Sequence, residues 1–158
     1  MNKYTPLYIQ PMKKPLLLLA SLFYFSMSFS QTITVDSLKI KPSTISNEHT
    51  VLKELKCQSI QSRLLYDDPS MYSFILGNLK EKAFQTFKFE GQTGSVLYFI
   101  VDKETSGSKG FIEGLLWGGS KPTKEHPEEI IMYGNIMIII SYPYKSAATT
   151  YFKKALTK

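Results

Sequence analysis

The chain has little of what a disulfide-stabilised or metal-dependent protein needs. Its 158 residues include a single cysteine, Cys57, and only two histidines, His49 and His126, which lie far apart in sequence. A single cysteine excludes a disulfide framework within the chain. We therefore predict that Cys57 is a buried small hydrophobic residue, with a reactive thiol or an intermolecular disulfide as the alternatives. No cofactor is expected.

Charge of one sign is not concentrated along the chain either. The sequence has 19 Lys and Arg against 13 Asp and Glu, a formal net charge of +6. Three of the lysines, Lys3, Lys13 and Lys14, lie in the first 30 residues, and without them the net charge is only +3. Nucleic-acid binding needs basic residues clustered on one face, so no nucleic-acid partner is expected.

An apolar run follows these lysines from Leu16 to Phe25, and the segment ends at Ser28-Phe29-Ser30. This order predicts a secretory signal peptide over residues 1–30. The two serines are small enough for the subsites of a signal peptidase, which predicts cleavage before Gln31. An uncleaved membrane anchor is the less favoured alternative, because the run is shorter than the roughly 20 apolar residues that span a bilayer.

The leader resembles export signals common in the Bacteroidetes in its aromatic content and in its Ser-Phe-Ser-Gln ending. This resemblance covers the leader alone and implies a periplasmic or secreted protein. We expect no stable membrane insertion after cleavage. Met12, directly before Lys13-Lys14, would make a more compact signal start than Met1, so both starts remain open.

The remaining residues predict a single α+β domain over residues 47–158, preceded by a tether or an edge strand over residues 31–46. Apolar residues at helical spacing indicate helices, whereas β-branched and aromatic runs indicate strands. The predicted helices cover residues 47–65, 69–82, 111–116 and 147–156. The predicted strands cover residues 84–90, 95–101, 130–133 and 136–140. Tight connections favour an antiparallel sheet of about four strands, in two hairpins, with helices packed on one face.

Turn and cap residues support these boundaries. Gly134-Asn135 suits the two-residue turn of a hairpin, and Gly118-Gly119 would end the helix that precedes it. Asp68 can cap a helix that begins at Pro69. In the short third helix, the spacing predicts one inward side made of Phe111, Ile112, Leu115 and Leu116.

No catalytic motif is complete. Glu125-His126-Pro127-Glu128-Glu129 offers the ligand types of a metal site, but Pro127 breaks the helical spacing that would bring them together, so a polar loop is the preferred interpretation. Ser106-Gly107-Ser108-Lys109 has a Ser-x-x-Lys spacing without the companion motifs of penicillin-recognising enzymes. Cys57 and His126 could form a thiolate nucleophile, but nothing in the sequence places them together.

The segment from Trp117 to Glu128 is the preferred binding site. It combines an aromatic side chain, both charge signs, two prolines and a glycine pair between two buried elements, and loops held by rigid elements often carry recognition residues. Its predicted partner-binding residues are Trp117, Lys121, Lys124 and His126, with plain core packing of Trp117 as the alternative.

The sequence therefore predicts an exported, non-catalytic domain that binds an unidentified protein or envelope component. A periplasmic carrier of small molecules or lipids, with an apolar pocket between the sheet and the helices, is the alternative that the abundant Phe and Ile suggest. A small hydrolase is less favoured, because it would need convergent polar residues that no motif supplies.

Overall fold

The computed structural model describes residues 33–157, so the predicted signal peptide and its cleavage site lie outside the described residues. Within this range the chain forms the α-helices α1 Val35–Leu38, α2 Ile60–Asp67, α3 Ser73–Leu76, α4 Lys109–Trp117 and α5 Ala147–Leu156. Five strands are β1 His49–Leu52, β2 Leu79–Phe89, β3 Gln92–Val101, β4 Glu129–Tyr133 and β5 Ile136–Ser141. Short 3-10 turns cover Pro42–Thr44, Pro69–Tyr72 and Ser106–Ser108. Within residues 33–157, no helix has the length and apolar character needed to cross a membrane.

The strands form one antiparallel sheet in the order β1-β2-β3-β5-β4, which confirms the α+β class. Both predicted hairpins are present, β2 with β3 and β4 with β5. The fifth strand, β1, lies where the sequence predicted a helix from residue 47. Its four residues pair with the end of β2, from His49 opposite Phe89 to Leu52 opposite Thr86, and a contact so distant in sequence leaves no local signal.

Helices cover both faces of the sheet, not the single face that the sequence predicted. Side chains alternate along a strand, so β3 sends Val96, Tyr98 and Ile100 to one face and Leu97, Phe99 and Val101 to the other. We call the first face the α5 face, because Phe152 of α5 packs there, and the second the α4 face. The continuous apolar runs of β3 and β5 are the mark of strands buried on both sides.

The helix predicted over residues 69–82 ends early. Asp68 caps the start as predicted, since its carboxylate accepts the Ser70 N–H at 3.2 Å. α3 then stops at Gly77, whose φ of +77° is left-handed, and the Asn78 N–H donates to the Asp102 carboxylate at 2.7 Å. Beyond this point the chain is strand β2, because residues from Leu79 onwards pair with β3.

The segment before residue 47 is packed against the domain and contains α1 in place of an edge strand. Ile40 and Ile45 are buried in the core of the α5 face. The Gln85 side chain holds the Ile40 backbone twice, accepting its N–H at 2.8 Å and donating to its C=O at 2.9 Å. These contacts attach the segment to β2 through a side chain, in place of the backbone pairing that an edge strand would make.

The boundaries of α4, α5, β4 and β5 agree closely with the sequence, whereas the helix predicted over residues 47–65 forms only as α2, Ile60–Asp67, and β3 begins three residues earlier than predicted. α5 spans the predicted residues, and α4 ends at Gly118 with a left-handed φ of +73°. Gly134 lies in the β4–β5 turn with φ +56°, and the β2–β3 turn is a tighter one than predicted, made by Glu90 and Gly91 with φ of +48° and +81°.

Candidate functional site

The loop that the sequence favoured as a binding site is anchored by a buried residue. Trp117 is only 8% exposed and lies in the core of the α4 face, because it follows Leu116 on the inward side of α4. It is therefore not available as an exposed anchor. Lys121 and Lys124 are exposed and His126 is half-buried, and partner binding by these three residues stays a prediction.

The same loop is fixed at its far end. The Thr123 N–H donates to the His126 C=O at 2.9 Å, and the His126 N–H donates back to the Thr123 hydroxyl at 3.0 Å. Pro127 and Glu128 after this turn are buried. This turn fixes the end of the loop directly before β4.

Glu128 connects the start of α2 to the sheet. Its Oε1 accepts the Ser59 N–H at 2.7 Å and the Ser141 hydroxyl at 3.2 Å, while that hydroxyl accepts the Gln58 N–H at 2.8 Å. Glu129, the next residue, points to the opposite face and pairs with Lys153. Glu128 and Glu129 of the segment considered as a metal site therefore diverge, and within residues 33–157 no group of three or more His, Cys, Asp or Glu side chains could hold a metal ion.

The other candidate catalytic groups have structural partners. Cys57 is half-buried, not fully buried as predicted. Its partial burial, reinforced by the negative charge of Glu128, raises the pKa of Cys57 to about 12, so its thiol stays protonated at neutral pH and is a poor nucleophile. The Ser106 hydroxyl donates to Glu104 and accepts the Gly134 N–H. Lys109 lies 3.7 Å from Glu113. The Ser-x-x-Lys spacing therefore organises a turn and a helix surface.

The outer side of the helices on the α4 face is apolar, which the sequence analysis missed. Six large apolar side chains there are between 47% and 75% exposed. We call this surface the apolar layer; its residues are Ile60, Leu64, Met71, Phe74, Phe111 and Leu115. Of the four residues predicted to face inward on α4, only Ile112 and Leu116 do so. Successive residues of a helix are rotated by about 100° around its axis, so Phe111 and Leu115 point away from the sheet.

The two longest helices of this layer are antiparallel neighbours. α2 begins beside Glu128, at the start of β4, and runs towards Lys82, whose ammonium donates to the Tyr66 C=O at 2.6 Å. α4 follows Thr105, whose N–H donates to the Gly134 C=O just beyond the other end of β4. From there α4 runs in the opposite direction to α2. The two helices contact each other, so their exposed side chains share one surface.

Two glycines of α4, Gly110 and Gly114, have open space beside them. A Cβ added at Gly110 or Gly114 would meet no atom within 4 Å, so the fold of the domain does not require glycine at either position. Each glycine inside a helix costs about 1 kcal/mol relative to alanine. A surface of this shape allows another backbone to approach closely between Phe111 and Leu115.

Charges of both signs border the apolar layer. Arg63 and Asp67 form an ion pair at 2.7 Å on α2, and Lys56 pairs with Glu54 at 2.9 Å just before it. An apolar groove of about 300 Å³, lined in part by Cys57, Ile60 and Leu64, extends the layer at the start of α2. The border therefore creates no field of a single sign.

Comparison with known proteins gives no relative: no family model matches the chain, and neither the curated proteins nor the solved structures contain a significant match. The functional argument rests on the geometry of the chain's own residues.

Proposed function

We propose that this chain is an exported, non-catalytic binding domain whose contact surface is the apolar layer. The observation that carries the proposal is the number of exposed large apolar side chains on the α4 face: four lie on the contacting helices α2 and α4, and two lie on the 3-10 turn and short helix α3 that follow α2. Scattered apolar residues are normal on a protein surface, but a contiguous patch of several hundred Å² marks an interaction site.

The size of the layer fits a protein partner. With roughly 150–250 Å² for each large side chain, the exposed fractions amount to on the order of 600 Å² of apolar surface. Each partner in a standard protein interface buries about 800 Å². The layer and its polar border therefore suffice for one side of such an interface.

A second copy of the domain is the partner that these charges favour. An isologous dimer places the same patch opposite itself, so a border of one sign would repel the copy. The border here contains the Arg63–Asp67 and Lys56–Glu54 pairs, which offer both signs to an identical surface. The mixed border also gives no attraction to anionic lipid or nucleic acid.

The two alternatives have less support. A carrier would need a pocket between the sheet and the helices, whereas Leu97, Tyr98, Met137 and Ile138 are completely buried at the centre of the sheet. A hydrolase with Cys57 as nucleophile would need a thiolate, which the raised pKa disfavours. Export to the periplasm or beyond the cell rests on the leader alone and is part of the proposal.

Sedimentation equilibrium of the exported protein tests the proposal. We expect a reversible dimer that Phe111→Glu and Leu115→Glu disrupt, because each places a charge in the apolar layer. The matched control is Val51→Glu, since Val51 is 52% exposed on β1 and Leu115 is 51% exposed on α4. The control should leave the dimer intact.

A photo-crosslinking residue at position 74 extends the test to living cells. The protein could be a monomer in solution and still crosslink to a different protein in cells. If Phe111→Glu abolished that crosslink, the partner of the apolar layer would be that protein and not a second copy. A monomer that forms no crosslink at position 74 would reject the apolar layer as a binding surface.

A further inference from the structure

The groove at the start of α2 is continuous with the apolar layer. Its volume is about 300 Å³. Leu55 and Cys57 line it from the segment before the helix, and Ile60 and Leu64 line it from the helix itself. Ile60 and Leu64 also belong to the apolar layer, so a molecule that covers the layer at this end also covers the groove.

Phe74, the more exposed of the two aromatic side chains in the apolar layer, lies at the opposite end of that layer. The segment before α2 is held near the start of β3, where the Lys56 N–H donates to the Ser95 hydroxyl at 2.9 Å. The segment after α3 is held at the end of β3, where the Asn78 N–H donates to Asp102. An extended chain from Ser95 to Asp102 covers on the order of 20 Å. Phe74 is therefore too far away to fill the groove of its own chain.

A two-fold axis brings these two ends together. In an isologous dimer the same surface faces itself, and every contact occurs twice. An axis that crosses α2 at a right angle places α2 antiparallel to α2 of the second copy. The segment that follows one α2 then lies over the segment that precedes the other. This arrangement puts Phe74 of each copy over the groove of the other copy.

The charges along α2 favour the same arrangement. Two lysines and one glutamate lie just before the helix, whereas two aspartates and one lysine lie around its end. The first group is Lys53, Glu54 and Lys56, and the second is Asp67, Asp68 and Lys82. Opposite net charges therefore meet when the two helices are antiparallel, whereas like charges would meet if the helices were parallel.

We infer that the groove at the start of α2 receives the Phe74 ring of a second copy, in a dimer whose centre is a pair of antiparallel α2 helices. This arrangement rests on the proposed self-association through the apolar layer. The ring contacts Ile60 and Leu64, which are 75% and 47% exposed in one copy and so have surface left to bury. Aromatic side chains that fill pockets near the centre of an interface contribute much of its binding energy.

Sedimentation equilibrium of Phe74→Ala tests the contact. We expect the dissociation constant of the dimer to rise about 100-fold, about tenfold for each of the two equivalent contacts. In dilute protein, where the dimer is dissociated, the urea midpoint should not fall, because the Phe74 side chain is 68% exposed. The control is Val51→Ala, since Val51 is 52% exposed on β1, outside the apolar layer. Its dimer should be as tight as that of the wild type.

A double variant shows whether Phe74 and the groove contact each other. Ile60→Ala alone should also weaken the dimer, because it removes one wall of the groove. In the Ile60→Ala background, Phe74→Ala should then weaken the dimer by about tenfold or less, since part of the contact is already lost. A loss of about 100-fold in both backgrounds would show that the two side chains are independent, and it would overturn the contact.

Photo-crosslinking locates the Phe74 side chain in the dimer. The exported protein with a photo-crosslinking residue at position 74 is mixed with isotope-labelled wild type, so that mass spectrometry identifies crosslinks between copies. We expect these crosslinks in residues 55–64 of the labelled copy. A photo-crosslinking residue at position 51 is the control and should give no crosslink to residues 55–64.

The outcomes separate this arrangement from self-association itself. A wild-type dimer that Phe111→Glu disrupts, but whose crosslinks from position 74 fall outside residues 55–64, would overturn the arrangement and leave the apolar layer as the interface. A Phe74→Ala dimer as tight as the wild type would do the same. A wild type that stays monomeric would overturn the arrangement together with the second copy as the partner.

Discussion

One and the same substitution, glycine to alanine, should have opposite effects at two positions of this domain. A Cβ at Gly94 of β3 would lie 2.3 Å from the Ser141 carbonyl oxygen and 2.6 Å from the Tyr142 ring. A backbone oxygen between paired strands cannot move far, so Gly94→Ala should destabilise the domain by about 1–3 kcal/mol, the usual cost of overpacking. A Cβ at Gly114 of α4 would meet no atom within 4 Å, so Gly114→Ala should stabilise by about 1 kcal/mol through helix propensity.

Urea unfolding followed by circular dichroism measures both changes, since the midpoint shifts with stability when the slope is constant. Gly91→Ala is a useful third variant, because its Cβ would have open space but its φ is +81°, so any loss there is backbone strain alone. A Gly94→Ala protein as stable as the wild type would show that β3 and β5 are not as close as described. In dilute protein, where the proposed dimer is dissociated, a Gly114→Ala variant that is less stable than the wild type would show that the outer side of α4 contacts another part of the same domain.

Three further predictions concern single residues. Gly134→Val should cost about 1 kcal/mol or more through strain at φ +56°, and an unchanged urea midpoint would contradict the hairpin turn. Trp117→Ala should cost about 3–5 kcal/mol because it empties a core position; a small loss with weaker partner binding would restore Trp117 as an exposed anchor. Cys57 should react with iodoacetamide far more slowly than a small free thiol at pH 8, because its pKa is raised to about 12; rapid alkylation of the native protein would contradict this.

The sequence predicts those parts of the fold that depend on interactions between residues close together along the chain. The hairpin at Gly134 and helix α5 were predictable, because turn residues and helical spacing act over a few neighbours. Strand β1 was not, since its four residues are fixed by pairing with β2, about 37 residues away along the chain. The end of α3 depends on Asp102, which no local pattern links to Gly77.

The candidate site was harder to predict than the fold. Trp117 is aromatic and lies beside a glycine pair, which is typical of binding loops, but only the tertiary structure shows that its ring is buried. Phe111 and Leu115 follow the same spacing as Ile112 and Leu116, so periodicity assigned all four to the core. The one available signal was that Lys109 and Glu113 are the only residues of α4 with polar side chains, since a helix with so narrow a polar side is expected to be buried on more than one side.

A comparison of α4 with α5 is the strongest argument that the apolar layer has a partner. Both helices pack one side against the same sheet, and both lie at the surface of the domain. α5 presents Thr150, Lys153 and Lys154 on its outer side, as expected for a helix that ends in solvent. α4 instead presents Phe111 and Leu115, each preceded by a glycine, at a cost in solubility and in helix propensity that its own fold does not require. The proposed contact with a second copy would account for both costs. Leu115→Glu therefore should raise solubility, and it should lower the urea midpoint only at protein concentrations at which the wild type is dimeric.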